Sequence, residues 1–540
     1  MKKFIKTIKS NKVLSVLSVL IIGLLFILVA RVTYAFLAPV INDAQTNVVG
    51  TTDTVDDFKF ELGDALKLDA SPTTLKENGS NYTTSTTAKA LLKANSTKKT
   101  AAYNYYVYFQ IKSNTFKYSD GSTPEIILTI TSPNGDEITS IDGLTYGTFN
   151  GVSGFDITTK KGLFNIANNH EITSNSSTTY TTQEWNITLT YLNLSIDQSS
   201  NFGNSMGVNV YITKNEKKPT VADVCSDGQS LSSCIIAMDG KDDTLYHHTS
   251  ALANGAGDNS YRYAGASDKV NNFVCFGSDA TTCPTDNLYR IVGVFGDNNH
   301  GVTEKQLVKL IKYDYANSNL LGTDGDYAGS VTPSSTYKGS LTSINTYNWN
   351  YKNDTSINDG NGSNIWSTSL LNKISLNTNY LNNIGTTWSN MIEDTTWKVS
   401  GHTTYSAAAS KMYTAEITNA TKTYGPSDGT SKIGLMYASD YGFAASPSAW
   451  TKVLQNYNGN DVNGTSIKTI NWMYMGLTEW TILPDSSDSN SVFLLYGDGS
   501  LDIRNAYGGF GSRPVLYLKS SALYAGGSGT KNSPITLVVW

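Results

Sequence analysis

The sequence predicts a mainly β protein with a few short helices, built as two β-rich domains in series. Three observations carry that expectation. Apolar and polar residues alternate over several stretches of the first 213 residues, which is the period of a strand with one buried face. Turn chemistry such as Asn134-Gly135 and Asp498-Gly499 separates short apolar runs, as hairpins require. The composition is rich in Tyr (33 residues) and Gly (45) while 39% of residues are hydrophobic, the balance of a β-rich protein with an adaptable polar surface. At 540 residues the chain exceeds one ordinary core. A formal charge of −5 with 16% charged residues leaves no basic footprint and argues against a nucleic-acid partner.

The elements follow in chain order. Lys2, Lys3, Lys6, Lys9 and Lys12 precede an apolar run at 13–30, so residues 1–35 read as an export signal. The segment is either cleaved after Thr33-Tyr34-Ala35 or kept as a membrane anchor, since the run approaches the length of a span. Residues 55–68 read as one or two strands. Tyr103, Tyr105, Val107, Phe109 and Ile111 fall on one face of a strand; Ile126, Leu128 and Ile130, then Trp185, Ile187, Leu189 and Tyr191, mark two more. Ser132-Pro133-Asn134-Gly135-Asp136 is a turn by its own chemistry. The charged, Pro-containing run 214–220 (KNEKKPT) places a linker at 214–224 between domains at 36–213 and 225–540.

In the second domain a short helix is predicted at 231–238, and a sheet beginning at Phe273 and continuing through 289–295 and 307–313. The polar region 316–363 lacks periodicity and reads as a solvated surface insertion. Apolar residues at Ile365, Trp366, Leu370, Leu371, Ile374 and Leu376, and then Met391 and Ile392, predict short amphipathic helices. The stretch 471–520, NWMYMGLTEWTILPDSSDSNSVFLLYGDGSLDIRNAYGGFGSRPVLYLKS, organises the domain. Its apolar flanks, 472–475 with 480–483 and then 515–518, read as buried strands. Between them 492–496 and 501–504 flank Gly497-Asp498-Gly499-Ser500 as a hairpin.

Two resemblances rest on these residues. The signal ending Tyr34-Ala35-Phe36, the segment Thr158-Thr159-Lys160-Lys161-Gly162, and Thr182-Gln183-Glu184-Trp185-Asn186-Ile187-Thr188 with Asn193-Leu194-Ser195-Ile196-Asp197-Gln198 make 36–213 similar to the TasA/camelysin-like exported matrix proteins. That implies a jelly-roll β-sandwich and fibre assembly by strand exchange, with the segment after Ala35 as donor. The series Leu288-Tyr289-Arg290-Ile291-Val292-Gly293, Val308-Lys309-Leu310-Ile311-Lys312, Trp366-Ser367-Thr368-Ser369-Leu370 and Lys432-Ile433-Gly434-Leu435-Met436, closed by 472–482 and Gly511-Ser512-Arg513-Pro514, resembles bacterial surface C-type-lectin-like domains of the formylglycine-generating-enzyme-like (sulfatase-modifying) subtype. The enzymes of that fold use reactive thiols deep in this part. No cysteine follows Cys283, so the resemblance implies a ligand-binding domain without that oxidative chemistry. Retroelement-diversified proteins of the same fold vary just before a framework like Gly511-Ser512-Arg513-Pro514.

The candidate ligand-binding residues are therefore those of the hairpin surface: Asp485, Asp488, Asn490, Tyr496, Asp498, Asp502, Arg504, Asn505 and Tyr507. Tyr, Asn and Asp make adaptable contacts when held on a stiff frame; the same residues also serve as ordinary turn residues. The expected partner is an extracellular glycan or protein, at the surface of a Gram-positive-type bacterium. No cofactor is expected, with calcium kept open through Asp324 and Asp326, Asp485 and Asp488, or Asp498 and Asp502. Cys225, Cys234, Cys275 and Cys283 allow three pairings, of which two local bridges are the simplest. Their spacings of eight and seven residues do not suit a zinc knuckle. The histidines His170, His247, His248, His300 and His402 fall in no catalytic motif, and His247-His248 beside Asp242-Asp243 is either a solvated loop or a metal site. No enzymatic activity is expected. A matrix or filament subunit is the alternative, and a secreted hydrolase would need Glu393, Asp394, His402 and Glu416 in one cleft.

Overall fold

The computed structural model describes residues 35–39, 55–66, 69–70, 80–296, 305–356, 358–399, 403, 406–418 and 429–539. The chain is mainly β, with 36% strand against 15% helix, and divides into two compact units, Met1–Pro219 and Thr220–Trp540. Of the signal segment only Ala35 is among the described residues, and among these no helix is long and apolar enough to cross a membrane.

The first unit is two facing sheets. One runs Asp69–Ala70, Ala35–Pro39, Ser205–Thr213, Ala101–Asn114, Gly162–Ser174; the other runs Asp57–Leu62, Tyr82–Lys93, Thr181–Tyr191, Ile126–Thr131, Val152–Asp156, Thr145–Phe149. All pairings are antiparallel except that of Ala35–Pro39 with the start of Ser205–Thr213. The alternating residues read from the sequence fill the space between the sheets. Tyr105, Val107, Phe109, Ile111, Ile126, Leu128, Ile130, Ile187, Leu189 and Tyr191 are wholly buried, and Trp185 Nε1 donates to Tyr105 Oη across the layers at 2.9 Å. The turn after Thr131 closes as its residues dictate: Gly135 takes φ +88° and its N–H donates to Ser132 O, a position where a side chain would be strained. The segment predicted as a linker is not free chain. Lys217 N–H donates to Tyr108 Oη at 2.9 Å, and Val221–Val224 is a helical turn of the second unit, closed by a Thr220/Asp223 capping box.

The second unit is centred on a seven-stranded sheet in the order Leu245–His247, Tyr261–Tyr263, Leu288–Phe295, Leu307–Lys312, Val515–Tyr517, Ile433–Gly434, with Phe273–Cys275 paired to Leu288–Phe295 at one side. The sheet thus begins before Phe273, in two three-residue strands too short to give a period. Leu231–Ile236 is the helix expected there. Leu371–Tyr380 and Thr386–Ser389 are the short helices of the middle region, and Trp366 and Trp388 belong to the core; the helix expected over 388–395 is not formed, since Met391 and Ile392 lie past the second helix and Thr395–Trp397 is a strand. A separate three-stranded sheet, Glu479–Pro484, Ser491–Leu495, Leu501–Asn505, carries the predicted hairpin.

Two expectations are corrected. Residues 472–475 are buried but form a turn rather than a strand. The side chain of Trp472 instead anchors that turn, its Nε1 donating to Tyr263 O at 2.8 Å. The region 316–363 is no solvated insertion: Tyr327–Val331 pairs with Ile344–Tyr347, and Tyr347, Trp349 and Asn350 are wholly buried. Trp349 Nε1 donates to Thr481 O and Trp480 Nε1 to Tyr347 O, at 3.0 and 2.7 Å. Each large ring is buried with its one polar atom satisfied, and that position has no counterpart in a two- or 3.6-residue period.

Cys225 pairs with Cys234 and Cys275 with Cys283, with Cα separations of 5.2 and 5.7 Å.

Candidate functional site

Glu479 and Arg513 form a buried two-pronged ion pair, Arg513 Nε to Glu479 Oε2 at 2.7 Å and Nη2 to Oε1 at 2.8 Å, and Nη2 also donates to Met473 O at 2.9 Å. This ties the three-stranded sheet to the turn that precedes it. Planar, bidentate geometry is what an arginine–carboxylate pair needs to be stable away from water.

On that frame the nine predicted residues occupy two ends and one edge. At the 485–490 turn, Asp485 is buried and accepts from Ser487 N–H and Oγ at 2.8 and 2.7 Å. Asp488 accepts from Ser491 Oγ at 2.8 Å and from Asn490 N–H at 3.2 Å, while Asn505 Nδ2 donates to Asn361 Oδ1 at 3.2 Å. Asn490 Oδ1 accepts from Ser491 Oγ at 3.2 Å. Tyr507, 47% exposed, leans on Tyr351. Along the Leu501–Asn505 edge, Asp502 lies 3.4 Å from Arg504, whose guanidinium covers the Tyr496 ring at 4.9 Å. At the opposite turn the exposed Asp498 accepts from Ser500 N–H and Oγ at 3.0 and 2.7 Å. The structure therefore gathers Tyr496, Asp502 and Arg504, presents Asp498, Arg504 and Tyr507 outward, and uses Asp485 and Asp488 to shape a turn.

The Asp498 turn is gripped from beneath through its backbone. Tyr474 Oη donates to Gly497 O at 2.7 Å and Tyr441 Oη to Gly499 O at 3.0 Å. Gly499 sits at φ +93°, where an added β-carbon would lie 3.3 Å from Lys468 Cγ. Lys468 and Tyr474 are in turn part of the wall of a cleft of about 620 Å³, a volume usual for ligand sites. Three lysines, Lys338, Lys468 and Lys531, and the rings of Phe273, Tyr313 and Tyr474 line it, with Asp268 as its one carboxylate. Lys531 Nζ stands 4.8 Å over the Tyr313 ring and 3.4 Å from its hydroxyl. Lys338 is fixed by its backbone, its N–H donating to Met475 O at 2.9 Å. Three lysines and three aromatic rings in one lining, with Lys531 over the Tyr313 ring, suit an acidic ligand with some apolar surface. Sequence reading missed this cleft because its lysines come from segments nearly 200 residues apart, and the one local signal, Tyr474, stood in a stretch read as a buried strand.

The remaining candidates separate. His248 is buried, its Nδ1 accepting from Ala256 N–H at 3.0 Å, against Phe443 and Trp450, and burial drives its pKa down to about 3. His247 stacks on Tyr261, and Asp242 accepts from Thr244 N–H and Oγ. His170 is wedged between Tyr105 and Trp185; His300 and His402 lie outside the described residues. Asp324 accepts from Asn379, and Asp326 from Tyr351 and Lys352 N–H. Among the described residues no three His, Cys, Asp or Glu side chains gather as a metal would require. Glu393 is paired with Lys305 at 2.5 Å, Asp394 is exposed, and Glu416 is wholly buried.

No family model, curated protein or solved structure matches this chain.

Proposed function

We propose that this chain is a non-enzymatic, exported, adhesin-like surface protein whose second unit binds an extracellular glycan or protein ligand carrying acidic groups. The observation that carries the reading is the lysine-lined cleft beside the backbone-anchored Asp498 turn. It joins a concave, partly aromatic floor to an outward polar rim on a frame stiffened by the Glu479–Arg513 pair. Preorganised donors on rigid elements favour binding because little side-chain freedom remains to be lost. The two disulfides fit an oxidising, extracellular setting, and the resemblance of the first unit to TasA-like proteins fits a stalk or assembly role.

Glycan arrays that include sulfated and carboxylated sugars, together with pull-downs from host extracts, test it on the purified full chain. A ligand whose affinity falls at least about tenfold in a Lys338→Glu/Lys468→Glu/Lys531→Glu variant, and falls with added salt, is the expected result. No ligand from either screen, or one indifferent to all three reversals, overturns it. A matrix or filament subunit is the second reading, favoured by Ala35–Pro39, which enters the sheet as its one parallel strand. Electron microscopy of the purified chain separates the two, since only the second demands fibres.

A further inference from the structure

We propose that Lys309 and Asp440 become joined by an intramolecular isopeptide bond between Nζ and Cγ, formed by the protein itself after folding. This does not depend on the ligand-binding reading. Lys309 Nζ lies 2.5 Å from Asp440 Oδ2, and neither side chain has any exposed surface. Lys309 is on the Leu307–Lys312 strand in the middle of the sheet and Asp440 in the first turn of the Ala438–Ala444 helix. The pair sits in an aromatic box, with Nζ 4.6 Å from the Tyr437 ring centre, 5.3 Å from Phe295, 5.5 Å from Tyr517 and 5.9 Å from Trp397. A third ionisable group, Glu416, is wholly buried beside them. Both its oxygens accept from the N–H of Ser439, the neighbour of Asp440, at 3.2 and 3.3 Å.

Amide condensation needs an uncharged amine, an uncharged carboxyl, close approach and the absence of water, conditions that a solvated ion pair never meets. Burial supplies the first and last together: it drives the Lys309 ammonium down to about 8 and the Glu416 carboxyl up to about 8. The balance is simple. Proton transfer within the pair leaves Lys309 as amine and Asp440 as acid. The Nζ lone pair attacks Cγ and the Nζ–Cγ bond forms. Glu416, kept as the acid by its burial, gives its proton to Oδ2 and takes one from nitrogen, the Cγ–Oδ2 bond breaks, and one water leaves. Ammonium plus carboxylate thus gives amide plus water, with no oxidant, reductant or co-reactant. Arg262, bound to Asp258 at 2.6 Å, has Nη1 3.7 Å from Asp440 Oδ1, the oxygen that stays and bears charge in the tetrahedral intermediate.

Three other candidates among the described residues lack one ingredient each. Arg513 and Glu479 are equally buried, but a guanidinium is not a nucleophile. Lys305 and Glu393 are as close, but solvated. Lys312 is buried, but its Nζ has no hydrogen-bond partner.

Peptide mapping of the purified, reduced full chain decides the matter. The expected product of trypsin is a branched peptide in which 306–312, uncut at Lys309, is joined to 433–452 with the mass of one water missing. A Glu416→Gln variant should leave most of the chain linear, because removing a positioned proton carrier slows such a step by roughly 100-fold or more. Lys309→Met and Asp440→Ala should abolish the branched species. If the native, folded protein yields the two linear peptides in full amount, Lys309 and Asp440 are an ordinary buried ion pair and the proposal falls. That comparison needs only the unaltered chain, so a variant that fails to fold does not blunt it.

Discussion

The Glu479–Arg513 pair is buried charge answered on both sides. Two hydrogen bonds run between fork and carboxylate and a third reaches Met473 O. Removing one partner strands the other without water. Glu479→Ala should therefore lower stability by about 3–5 kcal/mol, read as a shift in the denaturant midpoint. A double replacement by apolar residues of similar volume should recover much of that loss. His248 gives a pH dependence of definite sign. Burial lowers its pKa to about 3, below the value of about 6.5 in an unfolded chain. Between these values the unfolded state carries a proton that the folded state refuses. Stability should thus be full above about pH 6.5 and fall on acidification through the window down to about 3, by up to about 1.4 kcal/mol per pH unit. A His248→Phe variant that retains the fold should lose that slope in chemical-denaturation series across pH.

At the scale of elements, turns and bridges hold what short strands cannot. Gly476, at φ +82°, leaves an added β-carbon only 2.0 Å from Thr336 O. Gly476→Ala should lower stability by ~2 kcal/mol or more and loosen the wall of the lysine cleft, visible as a lower melting temperature together with weaker ligand binding. The Cys275–Cys283 bridge closes a small loop next to the strand Phe273–Cys275. Replacing both cysteines by serine should remove about 2–3 kcal/mol by freeing the unfolded chain, again measurable by denaturant titration. Three strands of the first unit, Ala101–Asn114, Ile126–Thr131 and Thr181–Tyr191, were readable because each carries an apolar alternation long enough to declare a period. Leu245–His247 and Tyr261–Tyr263 have three residues each, and three residues declare none. In 316–363 the buried Tyr347 and Trp349 are held by the long-range bonds from Trp480 Nε1 to Tyr347 O and from Trp349 Nε1 to Thr481 O, for which local sequence carries no signal. The 491–505 hairpin was legible for the opposite reason, its turn chemistry being local.

At the scale of the whole molecule, each unit has its own core among the described residues, one cluster lying within 58–212 and the other within 221–537. The join, 214–216, is exposed and basic at Lys214. Brief trypsin treatment should cut first in 214–218 and leave two resistant fragments, seen on a gel and identified by mass; early cleavage inside either sheet system would contradict the division. Of the proposed site, sequence pointed to the rim, because Asp498 and Tyr507 are adjacent to recognisable turns. It could not point to the cleft, because Lys338, Lys468 and Lys531 meet only through folding.

The grip of Tyr474 and Tyr441 on the turn acts on carbonyl oxygens, which every amino acid possesses. Identity at position 498 is consequently almost uncoupled from the shape of the loop that displays it, apart from the bonds to Ser500. A lineage could exchange the displayed chemistry there many times over while the pedestal beneath stayed still.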